Sequence, residues 1–160
     1  MTPRSFNRWA GWLYLATMTV ILFTGFGNMP LYRRYYVTDL PGFAWTGNFL
    51  INVQVHYLAG AVLLGLAAYF TGAYAYLKKD GWRLTRTGRL RAMVVGLALL
   101  SGLAMAVKNL SGVAYPFPVL VTMNFLHMGL AMIFLLLAAG CLIARSPWLR
   151  PTSEPATTTR

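Results

Sequence analysis

Residues 49–77 read FLINVQVHYLAGAVLLGLAAYFTGAYAYL, and this run decides the fold. It holds no charged residue, and Asn52, Gln54, His56 and Thr71 alone interrupt its apolar character. An α-helix crosses the hydrocarbon core of a bilayer in about 20 residues, with about 17–25 usual. The run is therefore long enough to tilt within the membrane or to extend beyond the lipid. Three other segments share its composition, at about 9–26, 92–108 and 118–144. The first and third of the four spans lie near the lower length limit. Residues 9–26 lack a small-residue cleavage pattern after their apolar stretch, so they read as a retained helix rather than a signal peptide.

The expected fold is all-α, a four-transmembrane-helix bundle over residues 9–145. Residues 1–8 form an N-terminal segment, and residues 146–160 a flexible tail, since PTSEPATTTR has no apolar anchor. Composition agrees. Of 160 residues, 58% are hydrophobic and 11% charged, whereas a soluble domain carries about 25% charged residues. Cys141 is the sole cysteine, which excludes an intrachain disulfide and a cysteine-based zinc or iron–sulfur site. It reads as a small packed apolar residue.

The net charge of +11 does not point to nucleic acid, because the cations are clustered as in a topogenic pattern. The connection KKDGWRLTRTGRLR, residues 78–91, carries six Lys and Arg against Asp80. Arg4 and Arg8 precede the first span, and Arg145, Arg150 and Arg160 follow the last. With four spans these segments share one face, which then holds 11 of the 14 cations. The other face has Arg33, Arg34 and Lys108. The positive-inside rule places both termini in the cytoplasm of a bacterial or archaeal cell, the chain being multi-pass in the cytoplasmic (inner) membrane. The 78–91 loop is read as topogenic, in contact with anionic lipid headgroups. Of the outer loops, 28–47 is long and rich in aromatics suited to the membrane–water interface. The second, 109–118, contains Pro116 and Pro118, which help to start the fourth helix.

The two histidines of the chain, His56 and His127, both lie inside spans. An ionisable side chain at membrane depth is costly and marks a functional site by default. Counted from Phe49 and Val119, they sit seven and eight residues in, roughly 10 and 12 Å at about 1.5 Å per residue. The midplane of the core lies at about 15 Å, so both imidazoles fall in the outer half at nearly one level. Two level imidazoles suit the axial ligands of one haem. The other readings are satisfied polar residues in a bundle, or a proton relay. Asp39, Asp80 and Glu154 are the only acids and lie outside the spans, which disfavours a non-haem metal and an ion-coupled transporter.

Ala59 and Gly60 follow His56 at i+3 and i+4, and Ala131 follows His127 at i+4; these small residues would let a macrocycle approach. Asn52 and Asn124, four and three residues before the histidines, would orient an imidazole or a water, or else bond between helices. Arg33, Arg34 and Lys108 are candidate partners for haem propionates, or plain solvated charges, with Lys108 snorkelling from its helix end as the plain alternative.

The stretch RWAGWLYLATMTVILFTGFG (8–27), His56 in VQVHYLAG and His127 in MNFLHMGLAM are similar to segments of a known family. Over about residues 5–145 the chain resembles the four-helix cytochrome b subunits of membrane-bound formate dehydrogenases and nickel-iron hydrogenases. The resemblance implies that His56 and His127 hold the haem b nearer the periplasm. The family commonly has a second, cytoplasmic-side haem held by a helix 1 histidine and another helix 4 histidine. Here Trp9, Ala10, Gly11 and Trp12 surround the first position, and no histidine follows His127. One haem is thus expected, with any quinone site in the outer half. The implied function is a membrane-anchor subunit, not itself catalytic, that passes electrons between a periplasmic redox enzyme or cytochrome subunit, docked on loops 28–47 and 109–118, and the quinone pool. The rivals are a haem-free structural membrane subunit and a small membrane transporter. Mixed ligation would bring in a methionine such as Met123.

Overall fold

The computed structural model describes residues 8–29 and 37–152. Four long helices carry the chain: α1 (Arg8–Gly27), α2 (Phe49–Lys79), α3 (Arg86–Val107) and α4 (Phe117–Ile143). Local signals set their starts. Asn48 caps α2, its side-chain oxygen accepting from the N–H groups of Leu50 and Ile51 at 3.1 and 3.2 Å. Pro116 precedes α4 and Pro118 lies in its first turn, where a missing N–H costs nothing. Thr85 caps α3, accepting from the Gly88 N–H at 2.9 Å. The third span thus opens six residues before the expected position 92, and Arg86, Arg89 and Arg91 ride on its first turns instead of in a loop.

Packing runs in two hairpins, α1 along α2 and α3 along α4, with sparser contact between them. One side chain from each helix meets at the centre: Met18, Leu63, Val94 and Phe134. Outside this small core the helices present apolar groups outward, with Trp9 80%, Leu142 79% and Ile143 85% exposed. Water would penalise such surface at about 25 cal/mol per Å², whereas lipid would not. All four helices are long and apolar enough to cross a membrane. The molecule is an all-α bundle of four such helices, and lipid is the contact its outer surface suits.

One end of the bundle is closed by a clasp. Strands β1 (Trp82–Leu84) and β2 (Leu149–Pro151) pair antiparallel, with Arg83 opposite Arg150. After α4 the chain turns by a Schellman motif: the Ser146 N–H reaches the Cys141 carbonyl at 2.8 Å and the Arg145 N–H the Leu142 carbonyl at 3.1 Å, with Arg145 at φ 49°. Arg91, 6% exposed, then holds the returning segment, its Nη2 donating to the Ser146 and Pro147 carbonyls at 3.1 and 3.2 Å. Its guanidinium lies 4.2 Å from the Trp148 ring centre. The expectation of a free tail over 146–160 therefore fails for residues 146–152, which the clasp pins; residues 153–160 lie outside the described residues. At the opposite end residues 37–48 fold back on α1, where Phe23 meets Phe43 and Trp45 at ring-centre distances of 5.4 and 6.2 Å.

Candidate functional site

His56 on α2 and His127 on α4 come together between the two hairpins. Their ring centres are 6.3 Å apart and their planes stand at 88°. The site belongs to the end away from the clasp. His56 is seven residues and His127 ten residues past the first residue of its helix (56 − 49 and 127 − 117). On α3 and α4 the buried residues Gly88, Arg91, Val94, Phe134 and Cys141 all lie on the clasp side of the pair.

Each imidazole is held from the preceding helix in the same way. His56 Nδ1 lies 2.9 Å from Thr24 Oγ1 on α1, and His127 Nδ1 lies 2.9 Å from Ser101 Oγ on α3. Each hydroxyl also reaches a carbonyl one turn back in its own helix: Thr24 donates to Val20 at 2.7 Å, and Ser101 to Ala98 at 2.9 Å. A glycine follows each hydroxyl and admits the ring edge. A Cβ on Gly25 would sit 3.5 Å from His56 Cε1, and one on Gly102 3.1 Å from His127 Cε1.

The other sequence candidates divide. Asn52 is fully buried, but its hydrogen bonds do not go to His56. Its Nδ2 donates to the Thr24 carbonyl at 2.9 Å and to Asn28 Oδ1 at 2.8 Å, so it ties α2 to the residue that holds the histidine. This is the interhelical alternative. Asn124 gives no support to His127: it is exposed and its Nδ2 donates to its own Leu120 carbonyl at 3.0 Å. The i−3 spacing was satisfied, but back-bonding along α4 satisfied the amide instead. Ala59 is buried, Ala131 is half-buried, and a Cβ on Gly60 would meet no atom within 4 Å. Lys108 caps the far end of α3, whereas Arg33 and Arg34 lie outside the described residues.

Thr24 and Ser101 are the site residues that sequence reasoning passed over. Their signal was a hydroxyl followed by glycine, Thr24-Gly25 and Ser101-Gly102, a pair that also occurs in the helices at Thr71-Gly72 and Thr87-Gly88. Among the described residues no group of three or more His, Cys, Asp and Glu side chains is placed to hold a metal ion. Among the described residues the arrangement offers two imidazole rings and no accompanying acid. No family model, curated protein or solved structure matches this chain.

Proposed function

We propose that the chain is a membrane-anchor cytochrome b subunit, with His56 and His127 as the axial ligands of a single haem b. The spacing of the two rings carries this reading. One metal ion bound to a nitrogen of each ring, at about 2.0–2.1 Å and with about 1.1 Å more to each ring centre, would fit between rings whose centres lie about 6.3 Å apart. The observed separation is 6.3 Å. A donor set of two imidazoles is also too small for zinc, which takes three or four protein ligands. His56 and His127 would together hold an iron whose other ligands come from a macrocycle. When bound, the haem supplies one-electron chemistry that these side chains lack.

The chain's own residues orient and enclose. Gly60, one turn beyond His56, has open space beside it, and Ala131, one turn beyond His127, and the buried Ala59 are small side chains suited to a macrocycle's approach. Lys108 is a cation at the same end of the bundle, suited to a propionate carboxylate, and the same role is proposed for Arg33 and Arg34. The clasp end carries the great majority of the Lys and Arg, which supports a cytoplasmic clasp, with both termini there, in a bacterial or archaeal inner membrane. The histidines then lie in the periplasmic half. A lone site at that depth exchanges electrons with a periplasmic redox enzyme or cytochrome subunit on loops 28–47 and 109–118, and with quinone from the outer half of the bilayer.

The test is optical. Purified protein should show a b-type α-band in a reduced-minus-oxidised difference spectrum, and His56→Ala and His127→Ala should each abolish it. Absence of the band in the wild-type protein would favour a haem-free structural subunit. Survival of the band in one variant would mean mixed ligation.

A further inference from the structure

The two histidines are held by two copies of one device, and the device fixes which ring nitrogen carries the proton. The α1–α2 hairpin supplies Thr24-Gly25 and His56; the α3–α4 hairpin supplies Ser101-Gly102 and His127. A hydroxyl has one proton to give. Thr24 directs its proton to the Val20 carbonyl at 2.7 Å, and Ser101 to the Ala98 carbonyl at 2.9 Å. In each 2.9 Å contact the imidazole Nδ1 must then be the donor. Among the described residues the structure shows no hydrogen bond to Nε2 of either ring.

We infer that Thr24 and Ser101 are positioning residues that lock both imidazoles as the Nδ1–H tautomer, present bare Nε2 atoms as the two ligating nitrogens, and hold the ring planes near perpendicular. The role as haem ligands rests on the function proposed above; the tautomer itself does not. Free imidazole side chains favour the other tautomer, so the hydroxyls act against the intrinsic preference. A ring that donates from Nδ1 is a more basic ligand through Nε2 and favours the higher oxidation state of a bound metal. Rings held at this angle would give a bound ferric haem a large, strongly anisotropic leading g-value.

Two measurements on the full chain in detergent test this. In haem-free protein labelled with ¹⁵N-histidine, both rings should show a protonated Nδ1 and a bare Nε2; Thr24→Val should release His56, and Ser101→Ala should release His127. A protonated Nε2 on either wild-type ring would overturn the inference whatever the protein binds. In haem-loaded protein, Thr24→Val and Ser101→Ala should each raise the midpoint potential and lower or broaden the leading g-value, and Thr24→Ser should restore both. Wild-type potential and g-value in both variants, with the α-band intact, would overturn the inference alone. A wild-type protein that never shows the band would remove the haem while leaving the tautomer measurement to decide the hydroxyls' role. A variant that loses haem altogether is judged by the same nitrogen signals.

Discussion

At the scale of single residues, four glycines near the site are not equivalent, and their differences make a prediction. A methyl on Gly102 would meet His127 Cε1 at 3.1 Å, tighter than ordinary contact, and the ring cannot retreat without straining its bond to Ser101. The same methyl on Gly25 would meet His56 at 3.5 Å, an ordinary van der Waals distance. On Gly60 it would meet nothing, and on Gly27 it would run into Asn52 Nδ2 at 2.7 Å. Overpacking of this kind costs about 1–3 kcal/mol. If the pair holds haem as proposed, Gly102→Ala should weaken its binding by about tenfold, the equivalent of about 1.4 kcal/mol, while Gly25→Ala stays within about twofold. Gly60→Ala should stabilise α2 slightly, by about 0.5–1 kcal/mol, but Gly60→Leu should keep the helices and lose the haem. Titration of haem into each variant, followed at the Soret band, checks the order. Equal affinities for Gly102→Ala and Gly25→Ala would show that the close approach to His127 is not what fits the ring. The histidines themselves were legible in the sequence because imidazole is rare in an apolar run. Thr24 and Ser101 were not. Hydroxyls in such helices commonly bond back to their own carbonyls, as Thr19, Thr71 and Thr122 do here, and nothing in the residue type says which hydroxyl also meets a neighbour. Asn124 illustrates the converse: its spacing from His127 was right and its side chain turned elsewhere.

At the scale of elements, apolar run length located all four spans, because the length of a membrane helix is set by the bilayer. It placed the start of α3 six residues late, because charge density hid a helix whose cap is Thr85 and whose first turns are basic. The clasp was invisible to pattern reading, since strands of three residues are too short to show alternation. It depends on a contact between residues 91 and 148 that only the packing of α3 on α4 creates. Arg91 is the centre of that contact, with donors to the Thr87, Ser146 and Pro147 carbonyls and its plane over Trp148. Hydrogen bonds from a charged donor contribute about 1.5–3 kcal/mol each when buried, and less where water competes. Arg91→Ala should therefore lower stability by about 2 kcal/mol. Its first effect should be local: faster hydrogen exchange at the Thr85 and Thr152 N–H groups, which now bond the Trp148 and Gly81 carbonyls at 3.0 and 2.7 Å. An α-band unchanged in position is expected, because the clasp and the histidine pair occupy opposite ends of the bundle. A variant whose clasp amides stay as protected as in the wild type would show that β1 and β2 alone hold the segment.

For the whole molecule, the clasp and the histidine pair define two ends that differ in charge as well as in chemistry. Strand pairing brings the α2–α3 connection and the segment after α4 to the same end, and that end gathers Lys78, Lys79, Arg83, Arg86, Arg89, Arg145 and Arg150 as well as the buried Arg91. The end with the histidines offers Lys108 among the described residues, joined in the sequence by Arg33 and Arg34. Such asymmetry orients a chain during insertion, since cationic segments near the ends of spans stay on the cytoplasmic side. The expected consequence can be read by labelling. Cys141 is buried, so the native thiol should stay silent, and single cysteines can be introduced at exposed positions of either end. Ser111→Cys, in the connection between α3 and α4, should react with a membrane-impermeant maleimide on intact cells stripped of the outer membrane. Thr152→Cys, next to β2, should react only after the inner membrane is opened. The two sites are both exposed, so a difference in labelling reports side and not burial. The reverse pattern would put the imidazole pair in the cytoplasmic half, and the redox partner proposed for it would then have to be a cytoplasmic one.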